Sequence, residues 1–136
     1  MFLLDTNIVS ELRKSRPHGA VKAWVAQLDE KQIAIAAMTL GEIQAGIEKT
    51  RETDAVKAAE LTLWADAMAS AANVVAADAA IFRLHARLMH GQPLDHWEDA
   101  LIAATAMTGG FTLATRNTKD FTRYDVALIN PFTFKG

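Results

Sequence analysis

Five polar residues carry the chemistry open to this chain: Asp5, Glu42, Asp99, Asn117 and Asp120. Asp5 ends the apolar run Met1-Phe2-Leu3-Leu4. A short unbroken apolar run fits a strand buried on both faces, as in a parallel sheet. Asp5 then stands at the carboxyl end of the strand, where open α/β sheets bind ligands. A strand-end Asp also caps the helix that follows, and this stretch alone leaves both readings open. Glu42 follows Thr39 at the spacing of a capping box, in which the Glu side chain reaches back to the N-cap amide. Its other reading is a carboxylate aimed from the first helical turn at the same sheet end as Asp5. Asp99 shares a helix face with Ile102, Ala103 and Ala106. A carboxylate heading a buried stripe is costly unless something neutralises it. Asn117 and Asp120 follow the apolar run 111–115, as a further ligand and acid or as turn residues.

Carboxylates brought to one sheet end repel and raise one another's pKa. A divalent cation relieves that repulsion, and oxygen-only ligands favour Mg²⁺ or Mn²⁺ over zinc. Asp5, Glu42 and Asp99, joined by Asp120 or Asn117, are the candidate metal-site residues, with their capping and turn alternatives still open. Such a site suits phosphodiester hydrolysis. Arg13, Lys14, Arg16, Arg116 and Lys119 are the local cations available to phosphate, or else solvated charges.

The elements that must position these residues alternate. Helical spacing resumes at Ile8, Val9 and Leu12 and again over 20–28, and a second strand spans 32–37. Thr39 opens the next helix, and 49–54 breaks the pattern. The stretch 55–72 reads as one amphipathic helix, with Val56, Ala59, Leu63 and Ala67 beside Leu61, Trp64 and Met68 on a broad apolar face. A short edge strand at 73–76 leads to a helix over 79–90 capped by Asp78, with His85 packed inward. A helix headed by Asp95, Glu98 and Asp99 ends at Gly109-Gly110, with Asp95 and Glu98 on other faces as favourable N-terminal charges. Strands at 111–115 and 126–129 close the chain. Strand–helix alternation of this kind predicts a three-layer α/β/α fold with a central, mostly parallel sheet, in a single domain over residues 1–136.

Composition narrows the class. Of 136 residues, 51% are hydrophobic, so the chain can bury a core, and the formal net charge of −2 gives no global basic footprint. The absence of cysteine excludes disulfides and thiolate metal sites. No signal-peptide core or membrane-length apolar run is present, so a soluble, cytoplasmic protein is expected.

Four stretches, taken in order, resemble the motifs of PIN-domain ribonucleases. They are Leu3-Leu4-Asp5-Thr6-Asn7, Thr39-Leu40-Gly41-Glu42-Ile43, Asp99-Ala100-Leu101-Ile102-Ala103-Ala104-Thr105-Ala106 and Thr115-Arg116-Asn117-Thr118-Lys119-Asp120-Phe121. They are most similar to the VapC toxins of VapBC toxin–antitoxin pairs, including the FitB-like branch. The resemblance implies a PIN fold and Mg²⁺- or Mn²⁺-dependent RNA endonuclease activity on structured RNA such as tRNA or ribosomal RNA. It also implies a homodimer, inhibited by a cognate VapB-type antitoxin whose C-terminal segment wraps the toxin. Operator DNA is then bound only through the antitoxin. In the family pattern the metal falls chiefly to the positions of Asp5 and Asp99, and Thr6 and Thr115 orient water or a carboxylate. One departure stands out: the FitB-like pattern has an acid where this chain has Asn117. Either Asp120 replaces it, or Asn117 ligates through its carbonyl or a water. Two rivals remain. An aspartyl-phosphate phosphatase wants a second Asp two residues after the first, where Asn7 stands. A partner-binding module would keep the fold without the chemistry.

Overall fold

The computed structural model describes all 136 residues. Five parallel strands form its sheet: β1 (Phe2–Leu4), β2 (Ile33–Ala36), β3 (Val74–Val75), β4 (Thr112–Ala114) and β5 (Leu128–Ile129). Their spatial order is β3-β2-β1-β4-β5. Leu3 aligns with Ala34 and Leu113, and these residues pack together on one face of the sheet. Leu4, Ile35 and Ala114 make the opposite face. Both faces are apolar because both are covered, as the unbroken run at the start of the chain requires.

Seven α-helices supply the cover. On the Leu4 face lie α1 (Thr6–Arg13), α2 (Gly19–Ala26), α3 (Ala37–Arg51) and α4 (Ala55–Ala71). They bury Ile8, Val21, Trp24, Ile43, Ile47 and Ala58 against the sheet. Beyond β3 come α5 (Ala79–Met89), α6 (Trp97–Gly109) and α7 (Thr118–Phe121). Helices α6 and α7 cover the Leu3 face, and α5 packs outside α6 through Ile81, Leu101 and Ala104. Helix α6 is buried at every position from Ala100 to Ala106. Its alanines let it lie close to the sheet and still receive α5 on its far side. Gly110 stops it in the left-handed conformation (φ 68°), which costs glycine nothing.

This order creates a crevice at the carboxyl ends of β1 and β4. From β1 the chain moves outward to β2 and β3, then returns to build β4 and β5 on the other side. The connections leaving β1 and β4 therefore diverge, and open α/β sheets bind ligands in such a gap. Asp5 follows β1 directly and Thr115 follows β4 directly.

Three expectations need correction. Thr39 does not open α3 and makes no capping box with Glu42: the helix begins at Ala37, its N-cap Ala36 has no side-chain cap, and Thr39 is fully buried. The chain turns from β2 into α3 with no intervening loop, which places Thr39 inside the first turn. The capping box of this region is formed by Asp29 and Gln32 on the short turn before β2. The apolar face of α4 is narrower than its periodicity suggests. Ala58 and Ala65 are buried with Leu61, Trp64 and Met68 packed beside them, but Val56 is 72% and Leu63 73% exposed. Finally, α3 continues to Arg51, through half of the expected break. Asp78 caps α5 as expected, accepting from the Ile81 amide, and His85 is buried with Nε2 2.9 Å from the Trp97 carbonyl. No helix is long and apolar enough to cross a membrane.

Trp24 is 1% exposed and packs edge-on against Phe2 with ring centroids 5.1 Å apart. Trp24→Ala should cost about 3–5 kcal/mol, by lost transfer energy and the cavity left behind. Urea unfolding measures it, and a loss below about 1 kcal/mol would mean that Trp24 is not the keystone of the α2 side of the core.

Candidate active site

Asp5 is the N-terminal cap of α1 and also reaches across the crevice, because its two carboxylate oxygens do different things. Oδ1 accepts from the Thr6 amide at 2.8 Å. Oδ2 accepts from Thr115 Oγ1 at 2.7 Å and from Asn7 Nδ2 at 3.1 Å. The backbone joins in, since the Asp5 amide donates to the Ala114 carbonyl at 2.9 Å and so extends the β1–β4 ladder. The cap reading of Asp5 is met in the geometry, and the same carboxylate is bonded to Thr115 at the end of β4.

Asn7 ties the two strand ends together. Its Nδ2 serves Asp5 and lies 3.4 Å from Thr115 Oγ1, while its Oδ1 accepts from the Arg116 amide at 3.2 Å. Thr115, fully buried, donates to Asp5 and accepts from the Asn117 amide at 3.0 Å. The phosphatase rival needs an acid at Asn7; the amide found there is used as a strut.

Glu42 faces α1. Thr6 Oγ1 donates to Glu42 Oε1 at 3.1 Å and lies 3.2 Å from Thr39 Oγ1. Glu42 is thus bonded to Thr6, the residue after Asp5, in place of the expected helix cap, and Thr39 braces the Thr6 hydroxyl. Asp99, half-buried at the start of α6, lies within electrostatic reach of Asp5, Glu42 and Asp120. Asn117 and Asp120 are exposed and line a pocket of about 380 Å³ together with the polar residues Arg116, Thr118, Lys119 and Asn130. Two apolar pockets of about 230 Å³ each lie elsewhere, along α4 and β2, away from every acid of the site except through the shared strand β1.

Charge balance decides what this arrangement can do. Each hydrogen bond to a charged group contributes roughly 1.5–3 kcal/mol. Asp5 receives three, yet burial outweighs them and raises its pKa, with the charge of Asp120 adding to the shift. Burial raises Glu42 furthest, to about 7, and Glu98, Asp5 and Asp99 push the same way against the Thr6 hydrogen bond. Asp99 is raised by burial and by Asp5 and Asp120, partly offset by Arg123 and His96. The two ion pairs of the chain, Lys14–Glu11 and Arg51–Glu48, involve none of these acids. The result is an acid cluster with no paired cation.

An oxygen-only acid cluster in this state fits a hard divalent cation by its chemistry. No three acid or histidine side chains close into a ready-made chelate, so the fit is one of donor type and charge. Sequence reasoning missed four contributors. Glu98 was placed on another face of the helix, yet its charge reaches Glu42. His96 and Arg123, joined by a 2.8 Å contact between Nδ1 and the guanidinium, temper Asp99. Asn7 gave only a turn signal. Its roles depend on residues more than a hundred positions away, and no local pattern reports them.

Residues 2–127 match the PIN domain family model. The chain is 33% identical to Toxin FitB of Neisseria gonorrhoeae over 97% of its own length and 99% of that protein. It is 32% identical to VapC ribonuclease Y4jK of Sinorhizobium fredii, over 97% and 98%. Among solved structures, VapBC2 from Rickettsia felis bound to a DNA fragment from their promoter superposes with a TM-score of 0.75 at 25% identity, covering 95% of this chain and 97% of that one.

Glu42 binds its proton more tightly in the folded chain than in the unfolded one. In metal-free protein, stability should therefore fall as pH rises from the ordinary Glu value of 4.5 to about 7. Thermal melts in EDTA across that range should show the decline, and Glu42→Gln should flatten it. A melting temperature that rises through this window would contradict the electrostatics described.

Proposed function

The chain belongs to the PIN-domain family, and from that premise we propose that it is the toxin of a type II toxin–antitoxin pair, a metal-dependent endoribonuclease. The observation that carries the reading is the acid cluster at the β1–β4 crevice. Asp5, Glu42 and Asp99 come from three distant segments, are raised in pKa together, and have no paired cation. Relatives named as a toxin and as a VapC ribonuclease support the hydrolase class.

Asp5 and Asp99, with Glu42, would hold Mg²⁺ or Mn²⁺. When bound, the ion neutralises the cluster and supplies charge stabilisation and water activation for phosphodiester hydrolysis. The chain's own groups do the rest. Thr115 and Asn7 fix Asp5 Oδ2, and the Thr6 amide fixes Oδ1, so the carboxylate keeps one orientation. Thr6 orients the Glu42 carboxylate, which burial and the neighbouring acids raise to about 7 in the metal-free chain. Asn117 and Asp120 stand at the exposed rim. Asp120 is the acid whose charge reaches both Asp5 and Asp99, and it takes the fourth position in this reading.

The partners follow from the family. A VapB-type antitoxin blocks the site, and operator DNA is engaged through the antitoxin, as a neighbour described as VapBC2 bound to its promoter DNA suggests. The toxin works in the cytoplasm as a homodimer on structured RNA of the tRNA or ribosomal class. The exposed Val56 and Leu63 offer apolar surface for such contacts.

Purified protein should cut RNA with Mg²⁺ or Mn²⁺ and stop in EDTA. Asp5→Asn and Asp99→Asn should each lower kcat by at least about 100-fold without unfolding the chain. Cleavage that survived EDTA and both substitutions would end the metal-nuclease reading. Expression should arrest growth, and co-expression of the adjacent antitoxin gene should relieve it. Arrest that also persisted with Asp5→Asn would show that toxicity does not come from this site.

A further inference from the structure

The five cations that the sequence offers to phosphate are not equivalent. Lys14 is paired with Glu11 at 2.9 Å. Arg13 lies 5.9 Å from the Trp64 ring and lines one of the apolar pockets. Arg16 is exposed on the loop before α2 and lines no pocket. Arg116 and Lys119 line the polar pocket beside the site, and neither is in an ion pair.

Arg116 is held at both ends. Its amide donates to Asn7 Oδ1 at 3.2 Å, which ties it to the segment that carries Asp5. Its guanidinium lies over the Phe132 ring, 4.4 Å from the centroid. Phe132 is fixed in turn: Asn130 Oδ1 accepts from its amide at 3.0 Å, and the His18 ring packs 5.0 Å from it. Asn130 also lines the pocket, so the turn after β5 supplies both the aromatic platform and one polar wall. Stacking on an aromatic face leaves the N–H edge of a guanidinium free, and that planar fork matches the oxygens of a phosphate. Because Arg116 is exposed, the face turned away from Phe132 is open to a base. The one acid of the pocket, Asp120, acts on Asp5 and Asp99, which sets the acidic wall toward the catalytic cluster. Arg116 and Lys119 form the basic wall. Residue 116 directly follows Thr115, which bonds Asp5, so the basic wall begins about one residue's length, ~3.8 Å, from that contact along the chain.

We propose that this pocket is a subsite for an RNA backbone phosphate next to the scissile bond, with Arg116 as its geometry-setting ligand, Lys119 as a second cation and Phe132 as the clamp. The proposal rests on the ribonuclease reading and deepens it. A global field cannot gather RNA onto a chain of net charge −2, so a fixed local cation is the natural anchor.

The test has a binding arm and a kinetic arm. Affinity for a short labelled single-stranded RNA is measured in an Asp5→Asn background by fluorescence anisotropy at several salt concentrations. Arg116→Ala should weaken binding about ten-fold and reduce the log–log salt slope by roughly 0.7, the loss of one phosphate contact. Arg116→Lys should restore the slope but only part of the affinity, since lysine keeps the charge and loses the fork. Phe132→Leu should weaken affinity with the slope intact. In otherwise unmodified enzyme, Arg116→Ala should raise KM about ten-fold with kcat within about two-fold. Lys57→Ala on α4, which removes one charge away from the pocket, should change neither measure. Unchanged affinity and slope for Arg116→Ala, an equal loss for Lys57→Ala, or a fall in kcat alone would each overturn the subsite. RNA cleavage by the unmodified protein separates the two readings. Its absence sinks the ribonuclease assignment, whereas cleavage with unaltered binding in the Arg116 variant sinks the subsite alone.

Discussion

A carboxylate is buried at the carboxyl end of the central strand without a basic partner, and the rest of the structure accommodates that fact. Asp5 is only 6% exposed. Three neutral donors hold it, and burial still raises its pKa. Burying a charge is expensive, and a neighbouring lysine or arginine would be the ordinary remedy. Here the neighbours are further acids. By its chemistry the arrangement suits a site that takes its positive charge from outside the chain.

The fold makes that concentration of charge affordable in structural terms. Strand β1 sits between β2 and β4, both faces of the sheet are apolar, and the polar groups gather where the connections diverge. Alanine is the material of α6, from whose start Asp99 projects. Small side chains let that helix approach the sheet closely, which brings its first turn to the crevice. The same helix is sandwiched by α5, so its position is fixed from two sides. Rigid supports of this kind hold like charges near one another without their drifting apart.

Hydrogen bonding between threonines and acids sets the finer geometry. Thr6, Thr39 and Thr115 are polar residues where the core would accept valine, and each hydroxyl is engaged within the site. Thr39 is fully buried and Thr115 likewise, so their partners are part of the fold's stability as well as of the site's orientation. The departure at Asn117 fits this picture. Its amide is used by Thr115, while its side chain stands at the pocket rim beside Asp120. The rim is thus the more exposed part of the candidate site, with the buried acid behind it.

Much of this was legible in the chain. The run into Asp5, the carboxylate heading the α6 stripe and the second apolar strand before Thr115 identified both strand ends and two of the acids, because burial on both faces leaves a local apolar signature. Alternation of strands and helices gave the layered parallel fold for the same reason. The sequence misled at Glu42, where the local capping pattern was satisfied on paper but the helix starts earlier. It misled on α4 as well, where periodicity marks a broader face than the core covers. What it could not contain were the pairings. Thr115 reaches Asp5 across 110 positions, Thr6 reaches Glu42 across 36, and Asn7 reaches Arg116 across 109. Local composition determines which elements form and which residues stand at their ends, since propensity and hydrophobic period act over one or two turns. Only the tertiary structure decides which ends meet. Strand order and crossover direction bring these distant residues together at one crevice, and no local signal encodes that meeting.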